Sequence, residues 1–378
     1  MIYLDNAATT FPKPQSVRRA LSNAAAYSAN PGRSGHKLAI QASEQIFRCR
    51  EKASKMFGAG SAENVIFTLN CTHAANIVIK GLLKSGDHVV TSDMEHNAVM
   101  RPLHALKAHG VSYTVVRASD DSSETLNAFR DAIQSNTKLV ICTHVSNVWG
   151  IKLPVERIAA MCRQYGIPIM VDAAQSAGVF KINVEESGFD FVCIPGHKGL
   201  YGTMGTGILI AKRPELLRTI IEGGTGSGSR SLDQPQFTPD KFESGTPNYP
   251  GIAALSSGID FVNKVTERRI LEHETKLLAT FYDMISSNKR IILYTKRPDP
   301  QTCGGVLSFN IKGMDSEDVA RYLNDRFGIA VRAGLHCAPL AHEHFDTADC
   351  GAVRISPSYF TTTNEIISAA HSVNSIKP

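Results

Sequence analysis

Short apolar runs alternate with longer amphipathic segments from about residue 61 to residue 212 of the chain. The runs are continuous and rich in Val and Ile, a pattern typical of strands that are buried on both faces of a sheet. The predicted strands are 65–68, 88–91, 111–116, 138–144, 167–171, 189–194 and 207–211. The segments between them have helical spacing at 72–83, 97–109, 123–134 and 155–165. This alternation predicts an α/β fold with a mainly parallel seven-stranded sheet flanked by helices.

The last third of the chain predicts a smaller α/β unit. A long helical pattern covers 251–287, strands are expected at 304–311, 329–332 and 352–356, and a helix is expected at 316–327. A final helix begins at the capping-box pattern Thr362-x-x-Glu365. Residues 223–239 are rich in Gly, Ser and Pro, which predicts a loop near an active site. We expect a large domain at 15–250 and a small domain formed by 1–14 and 251–378.

The composition is that of an ordinary globular protein, with 43% hydrophobic and 20% charged residues. A net charge of +5 spread over 378 residues, with no basic run and one tryptophan, argues against nucleic acid as a partner. No apolar run is long enough to span a membrane. The first residues carry no basic segment followed by a long apolar core, so no signal peptide is expected and the expected location is the cytoplasm.

The eight cysteines contain no CxxC pair, so neither a disulfide framework nor a zinc ribbon is expected. Cys49, Cys142, Cys162 and Cys193 lie in apolar surroundings and are expected to be core residues. Cys337 is the candidate for chemistry, because Arg332 and His336 lie close to it in sequence.

The candidate reactive lysine lies in Gly196-His197-Lys198-Gly199, between the strands predicted at 189–194 and 207–211. Glycines there allow close backbone approach and positive φ. A lysine between apolar walls is partly desolvated, which lowers its pKa and suits Schiff-base formation. A solvated lysine in a hairpin turn is the alternative interpretation.

Asp172 follows the strand predicted at 167–171 and either caps a helix or meets a buried cation. Since Lys198 follows the next strand along the chain, the pair suits pyridoxal 5′-phosphate (PLP). The lysine would bind the cofactor's aldehyde and the carboxylate would keep the pyridine nitrogen protonated.

Three further positions follow predicted strands and complete this hypothesis. Thr72, beside Cys71, opens a helix whose N-terminal amides suit a phosphate. His96 can stack on an aromatic ring, although a lone histidine is more often a packed or surface residue. Asn147 can donate to a ring oxygen or to a carboxylate.

Seven motifs, in chain order, carry a family resemblance that covers essentially the whole sequence. They are Tyr3-Leu4-Asp5-Asn6-Ala7-Ala8-Thr9-Thr10, Met94-Glu95-His96-Asn97-Ala98, Ser146-Asn147-Val148-Trp149-Gly150, Val171-Asp172-Ala173-Ala174-Gln175, Gly196-His197-Lys198, Phe242-Glu243-Ser244-Gly245-Thr246-Pro247-Asn248 and Arg332-Ala333-Gly334-Leu335-His336-Cys337-Ala338. Together they resemble class V aminotransferases of PLP fold type I, in the cysteine desulfurase and selenocysteine lyase branch. The short loop around Cys337 resembles the SufS-like enzymes of sulfur mobilisation and iron–sulfur cluster assembly.

The resemblance implies a role for each site residue. Lys198 would bind PLP covalently, Asp172 would pair with the ring nitrogen, and Gln175 would touch the ring hydroxyl. His96 would stack on the ring and shuttle protons. Phosphate contacts would come from Thr72, His197 and, from the partner subunit of a homodimer, Thr246. Asn147 and Arg354 would bind the substrate carboxylate, and a guanidinium fork suits that group.

Cys337 would be the second catalytic residue, attacking the substrate sulfur to become a persulfide that passes its sulfur to an acceptor protein. Arg332 and His336 lie close in sequence and are expected to favour its thiolate. A structural cysteine is one alternative. A zinc site with His342, Glu343, His344 and Cys350 is another, but the ligand spacing is poor, and no metal is expected.

Three positions depart from the family pattern. Pro195 stands where a serine two residues before the histidine is usual, which removes a phosphate hydroxyl worth ~1.5–3 kcal/mol. Cys71 and His73 stand where Thr and Glu are common. These departures concern the phosphate contacts and leave the chemistry at Lys198 in place.

The sequence therefore predicts a PLP-dependent cysteine desulfurase that converts L-cysteine to L-alanine. The alternatives are a selenocysteine lyase acting on L-selenocysteine, another class V aminotransferase or lyase, and a cofactor-free sulfur carrier. An NAD-binding protein is disfavoured because no G-x-G-x-x-G follows a strand.

Overall fold

The computed structural model describes residues 1–31 and 35–377. Its strands, in chain order, are β1 (Ile2–Tyr3), β2 (Val65–Thr68), β3 (His88–Ser92), β4 (Ser112–Val116), β5 (Thr137–Thr143), β6 (Ile169–Asp172), β7 (Phe191–Pro195), β8 (Gly207–Ala211), β9 (Ile291–Leu293), β10 (Leu307–Ile311), β11 (Ile329–Ala330) and β12 (Val353–Ile355). The predicted domains also include residues 32–34 and 378, which lie outside the described part of the chain.

The α-helices are α1 (Gln15–Ala26), α2 (Lys37–Phe57), α3 (Cys71–Leu82), α4 (Asn97–Lys107), α5 (Ser122–Asp131), α6 (Val155–Tyr165), α7 (Val184–Ser187), α8 (Tyr249–Val265), α9 (Glu267–Ile285), α10 (Ser316–Phe327), α11 (Pro339–His344) and α12 (Thr363–Ser375). The capping box predicted for the last helix is present, since Thr362 and Glu365 exchange side-chain and backbone hydrogen bonds. Among the described residues, every helix is too short or too polar to cross a lipid bilayer.

The large sheet has the strand order β2-β8-β7-β6-β5-β3-β4. Strands β7, β6, β5, β3 and β4 run parallel, and β8 is antiparallel to both of its neighbours. This confirms the predicted seven-stranded, mainly parallel sheet. Because its parallel strands share one carboxyl edge, the residues that follow them are brought to one side of the molecule.

Both faces of the sheet are buried, which explains the continuous apolar runs in the sequence. On β5, Val140 and Cys142 pack into the core on one face, and Leu139 and Ile141 pack into the core on the other. The period of two along a strand sends successive side chains to opposite faces. The central positions of a strand that is covered on both sides are therefore apolar.

The smaller unit has a core of its own. Strands β12, β10 and β9 form an antiparallel sheet, and α9 packs against α12 beside it. The N-terminal strand β1 pairs with β11, so the first residues join this C-terminal unit. The core cluster includes Leu4, Leu278 and Phe309.

Helix α8 begins at the predicted boundary near residue 250 and packs against α1 and α2. Its Ile252, Leu255 and Ile259 belong to the core cluster of the large sheet. This packing favours a boundary after α8. The division at residue 250 stays a prediction.

Candidate active site

A cavity of about 210 Å³ lies at the carboxyl edge of the parallel strands. Nine of the residues predicted for the site line it: Cys71, Thr72, His96, Asn147, Asp172, Gln175, His197, Lys198 and Arg354. Two predicted residues, Thr246 and Cys337, are not part of this lining. The fold therefore brings side chains from six separate stretches of sequence to one place.

The turn that carries Lys198 is held by the N-terminal segment. Thr10 Oγ1 donates to the carbonyl of Lys198 at 2.8 Å, and Lys13 Nζ donates to the carbonyl of His197 at 2.9 Å. The prediction that the glycines of this turn serve positive φ is wrong for most of them, since only Gly205 has φ near +78°. At Gly199 a Cβ would lie 2.3 Å from the carbonyl oxygen of Ala177, so the need is for close backbone packing.

Lys198 faces the cavity with a pKa lowered from 10.5 to about 8. Burial is the main cause, because the charged ammonium loses hydration, and the nearby guanidinium of Arg354 adds to the effect. The carboxylate of Asp172 acts in the opposite direction. The result is an amine with a substantial neutral fraction near neutral pH.

Asp172 is the last residue of β6 and is 2% exposed. Its Oδ1 accepts hydrogen bonds from the Ala174 N–H at 2.8 Å and from the Cys71 thiol at 3.4 Å. Burial raises the pKa of this carboxyl, while the Ala174 hydrogen bond and the charge of Lys198 lower it. A buried carboxylate of this kind calls for a cationic partner in the cavity.

Donors suited to a phosphate lie beside α3. The N–H groups of Cys71 and Thr72 open this helix, where backbone N–H groups have no intrahelical partner. Asn70 caps the helix by accepting from the His73 N–H at 2.8 Å. His197 contributes a buried Nδ1 that has no partner within the described residues. Pro195, which replaces the usual serine, lines the same cavity.

His96 is the N-cap of α4, and its Nδ1 accepts a hydrogen bond from the Ala98 N–H at 3.0 Å. Burial lowers its pKa to about 4, and the charges of Lys198 and Arg332 contribute. The ring is therefore neutral near pH 7. With Nδ1 acting as acceptor, its proton is on Nε2.

Arg354 is 1% exposed and lies in β12, the middle residue of that strand. It donates to Asp5 Oδ1 at 2.8 Å and to the Asn147 carbonyl at 2.9 Å. Its Nε and the Oδ1 of Asn147 are buried without a partner in the described chain. Arg354 is therefore not a solvated edge residue, and a buried cation with a free donor is suited to an anionic group.

Cys337 is exposed on the loop between β11 and α11. Its carbonyl accepts from the Asn97 N–H at 2.7 Å, and the carbonyl of His336 accepts from Asn147 Nδ2 at 2.8 Å. These two bonds tie the loop to two residues of the cavity region. Both His336 and Cys337 have positive φ, +51° and +57°, which bends the chain sharply at the thiol.

The two neighbours expected to favour the Cys337 thiolate differ in what they do. Arg332 lies beside the thiol, with its Nη2 4.0 Å from Cys337 Sγ. His336 is buried and stacks on His342, and burial lowers its pKa to about 2. A neutral imidazole adds no positive charge, so this part of the prediction is wrong.

Thr246 and Gln175 have different positions relative to the site. Thr246 is exposed in the segment before α8 and does not contribute to the cavity of its own chain. That segment is anchored by Glu243, which accepts from Arg50 at 2.7 and 2.9 Å and from the Phe67 N–H at 2.6 Å. Gln175 donates to the Ala7 carbonyl at 3.1 Å and lines the cavity.

Sequence reasoning missed two acidic residues. Asp5 orients Arg354 from the opposite end of the chain, and the opening motif was its only signal. Glu95 is fully buried behind His96, accepting from Ser92 Oγ at 2.6 Å and from the Thr143 N–H at 2.7 Å. Burial raises the pKa of Glu95 to about 8. No group of three or more metal-ligating side chains is present in residues 1–31 and 35–377.

Comparison with known proteins identifies the family. The model of the family "Aminotransferase class-V" matches residues 2–368. The chain belongs to the class V aminotransferase family. A probable cysteine desulfurase of Methanothermobacter thermautotrophicus is 38% identical over 372 residues, which cover 97% of this chain and 92% of that protein. One of Vibrio cholerae is 33% identical over 98% of this chain and 93% of its own length.

Solved structures of class V relatives have the same fold. The apo structure of a cysteine desulfurase from Thermococcus onnurineus superposes with a TM-score of 0.90 at 30% identity, covering 98% of this chain and 93% of the other. The cysteine desulfurase CsdA of Escherichia coli superposes with a TM-score of 0.87 at 25% identity, covering 98% and 93%. In both cases the structural similarity extends over nearly the whole of both chains.

The site of this class V protein fits PLP. Around the cavity, the described residues leave four buried polar atoms without partners: Asn147 Oδ1, His197 Nδ1, His336 Nε2 and Arg354 Nε. The chain also supplies a helix N-terminus for a phosphate, a carboxylate for a ring nitrogen and an amine for an aldehyde. These are the groups that a pyridoxal cofactor requires.

Proposed function

We propose that this protein is a PLP-dependent cysteine desulfurase that converts L-cysteine to L-alanine and carries the released sulfur on Cys337. The observation that carries the proposal is the convergence of Lys198, Asp172 and Arg354 on one cavity, with an exposed thiol on a loop tied to its rim. Full-length relatives with the same named activity support it.

PLP would be held by Lys198 at its aldehyde, Asp172 at its ring nitrogen and the N-terminus of α3 at its phosphate, with Thr246 of the partner subunit as a further contact in a homodimer. Gln175 would contact the ring hydroxyl, His96 would lie over the ring, and His197 would add a contact to the phosphate. When bound, PLP supplies an electron sink for the α-carbon of an amino acid.

Arg354 and Asn147 would orient the substrate. The Arg354 guanidinium is already fixed by Asp5 and by the Asn147 carbonyl, so binding a carboxylate at its remaining donor costs little side-chain entropy. Lys198, with a pKa of about 8, is suited to remove the α-proton and to return a proton later. Neutral His96 presents Nε2–H as a hydrogen-bond donor and proton carrier.

Cys337 would perform the sulfur transfer as a thiolate near the Arg332 guanidinium. Its sulfur forms an S–S bond to the substrate sulfur while the substrate's Cβ–S bond breaks. The electron pair of that bond stays with Cβ, which takes a proton to give alanine. The atoms balance without an external oxidant, and the persulfide then passes its outer sulfur to the thiol of an acceptor protein.

The test is product analysis with L-cysteine as substrate. Cys337→Ala should retain cofactor binding, seen as an unchanged visible absorption band, and should release no alanine under turnover. Cys350→Ala is the matched control, since Cys350 is a second exposed cysteine outside the cavity lining. Unimpaired alanine release by Cys337→Ala would defeat the proposal.

The same assay separates the alternatives. Comparing L-cysteine with L-selenocysteine decides between a desulfurase and a selenocysteine lyase. Keto acid formation in place of alanine would indicate an aminotransferase. We further propose a homodimer, because Thr246 is exposed and does not line the cavity of its own chain. A location in the cytoplasm is a separate part of the proposal. Complementation of Thr246→Ala by a Lys198→Ala chain in mixed dimers tests that contact.

A further inference from the structure

The thiol of Cys71 lies against the buried carboxylate of the site. The side chain is the first of α3 and is 8% exposed. Its Sγ lies 3.4 Å from Oδ1 of Asp172, within hydrogen-bonding range for sulfur. No step of the proposed reaction uses this thiol.

The direction of this hydrogen bond follows from the two groups. An ionised carboxylate can only accept, so the thiol must donate. Burial, together with the charge of Asp172, raises the pKa of the Cys71 thiol well above its usual value. The S–H proton therefore stays in place near neutral pH.

Both donors to Asp172 converge on the same oxygen. Oδ1 receives the Cys71 thiol and the Ala174 N–H, whereas no described residue donates to Oδ2. These two hydrogen bonds prevent the carboxylate of Asp172 from rotating and keep Oδ1 bound to the protein. Oδ2 is left as the acceptor for a donor in the cavity that Asp172 lines.

We propose that Cys71 is a positioning residue that holds Oδ1 of Asp172 and so presents Oδ2 to the cofactor's ring nitrogen. This inference rests on the proposed function. A donor on Oδ1 also withdraws charge from the carboxylate and lowers its proton affinity. The shared proton then stays on the ring nitrogen, where it sustains the electron-withdrawing character of the ring.

The test compares Cys71→Ala with Cys71→Ser in the cofactor-loaded protein. Cys193→Ala is the matched control: Cys193 is also a buried cysteine near Asp172, but its thiol makes no hydrogen bond to that carboxylate in the described residues. The first readout is the pH titration of the visible absorption band. The second is the rate at which the α-proton of L-alanine exchanges with D2O, followed by NMR.

Cys71→Ala should slow α-proton exchange about fivefold, the effect of losing one modest hydrogen bond. The midpoint of its visible titration should move to higher pH, because a less positive ring lets the Lys198 nitrogen hold its proton more tightly. Cys71→Ser should restore both values, since a hydroxyl also donates. Cys193→Ala should behave as the wild type.

A third measurement observes the hydrogen bond of Cys71 directly. It needs neither enzyme activity nor a substitution at Cys71, so poor folding of a Cys71 variant does not affect it. The infrared S–H stretching band of Cys71 in the cofactor-free protein should shift when Asp172 is replaced in Asp172→Asn. An unshifted band, or a Cys71→Ala protein with wild-type titration and exchange, would overturn the proposal. Equal losses in Cys71→Ala and Cys71→Ser would do the same, indicating a packing role.

Failure of the proposed function gives a different pattern. If the wild type binds the cofactor but releases no alanine from L-cysteine, the desulfurase proposal fails. The titration and the exchange of L-alanine would still report on Cys71, because neither measurement needs Cys337.

Discussion

Lys198 should react as a neutral amine at a pH far below that of an ordinary lysine. Its pKa falls from 10.5 to about 8, chiefly through burial and then through Arg354. At pH 7 the neutral fraction rises from about one in 3,000 to about one in ten, so the reactive amine is about 300-fold more abundant. The fold itself would thus prepare the lysine for the cofactor's aldehyde.

Competitive labelling measures this pKa at a single residue. The cofactor is first removed by dialysis against hydroxylamine. Trace labelled acetic anhydride is then allowed to react across a range of pH, and mass spectrometry of the peptide that contains Lys198 gives its reactivity. The midpoint should lie near pH 8, the pKa of this amine.

Two variants should move that midpoint in opposite directions. Arg354→Met removes a cation that lowers the pKa of Lys198, so the midpoint should rise. Asp172→Asn removes an anion that raises it, so the midpoint should fall. A wild-type midpoint near 10.5, or two variants that shift the same way, would refute the electrostatic account of this site.

Two further predictions concern the phosphate contacts and the lysine turn. Pro195→Ser should bind the cofactor about tenfold more tightly, because the serine hydroxyl adds a donor for the charged phosphate. Pro195→Ala should show no such gain in affinity. Equilibrium dialysis measures the two dissociation constants, and equal values for the two variants would contradict the reasoning. Gly199→Ala should lower the free energy of unfolding by ~1–3 kcal/mol, because its Cβ would meet the Ala177 carbonyl oxygen. Urea unfolding measures this change. Gly35→Ala is the control, since a Cβ at Gly35 would lie in open space. A stability equal to the wild type would show that the turn relaxes.

Local patterns predicted the elements that position the site. The strands at 65–68 and 207–211 have the predicted bounds, because both of their faces are buried and their sequences are largely apolar. The helices at 155–165 and 316–327 also have the predicted bounds, because their apolar residues recur at helical spacing. Thr72, His96, Asn147 and Lys198 all follow predicted strands, and the shared carboxyl edge of parallel strands brings them together.

Contacts between distant parts of the chain were beyond local reasoning. The ion pair of Asp5 with Arg354 joins residues 349 positions apart, and nothing near either residue signals the other. The position of His336 next to Cys337 in the sequence predicts a charged imidazole beside the thiol. In the structure His336 stacks on His342, and burial keeps its ring neutral. The burial of a titratable side chain depends on tertiary packing, and the neighbouring residues in the sequence do not determine that packing.

The segment of residues 5–10 gives the site an order of assembly. Asn6 Nδ2 donates to the carbonyl of Ser356, which is 350 residues later in the chain, and Thr10 clasps the carbonyl of Lys198. During synthesis, residues 5–10 therefore make all of these contacts only after residue 356 has been added to the chain. The large sheet can form earlier, but the guanidinium of Arg354 and its carboxylate Asp5 meet only after β12 has been synthesised. The cavity takes its final lining only after that late contact, and the proposed cofactor would be held in its final geometry only then.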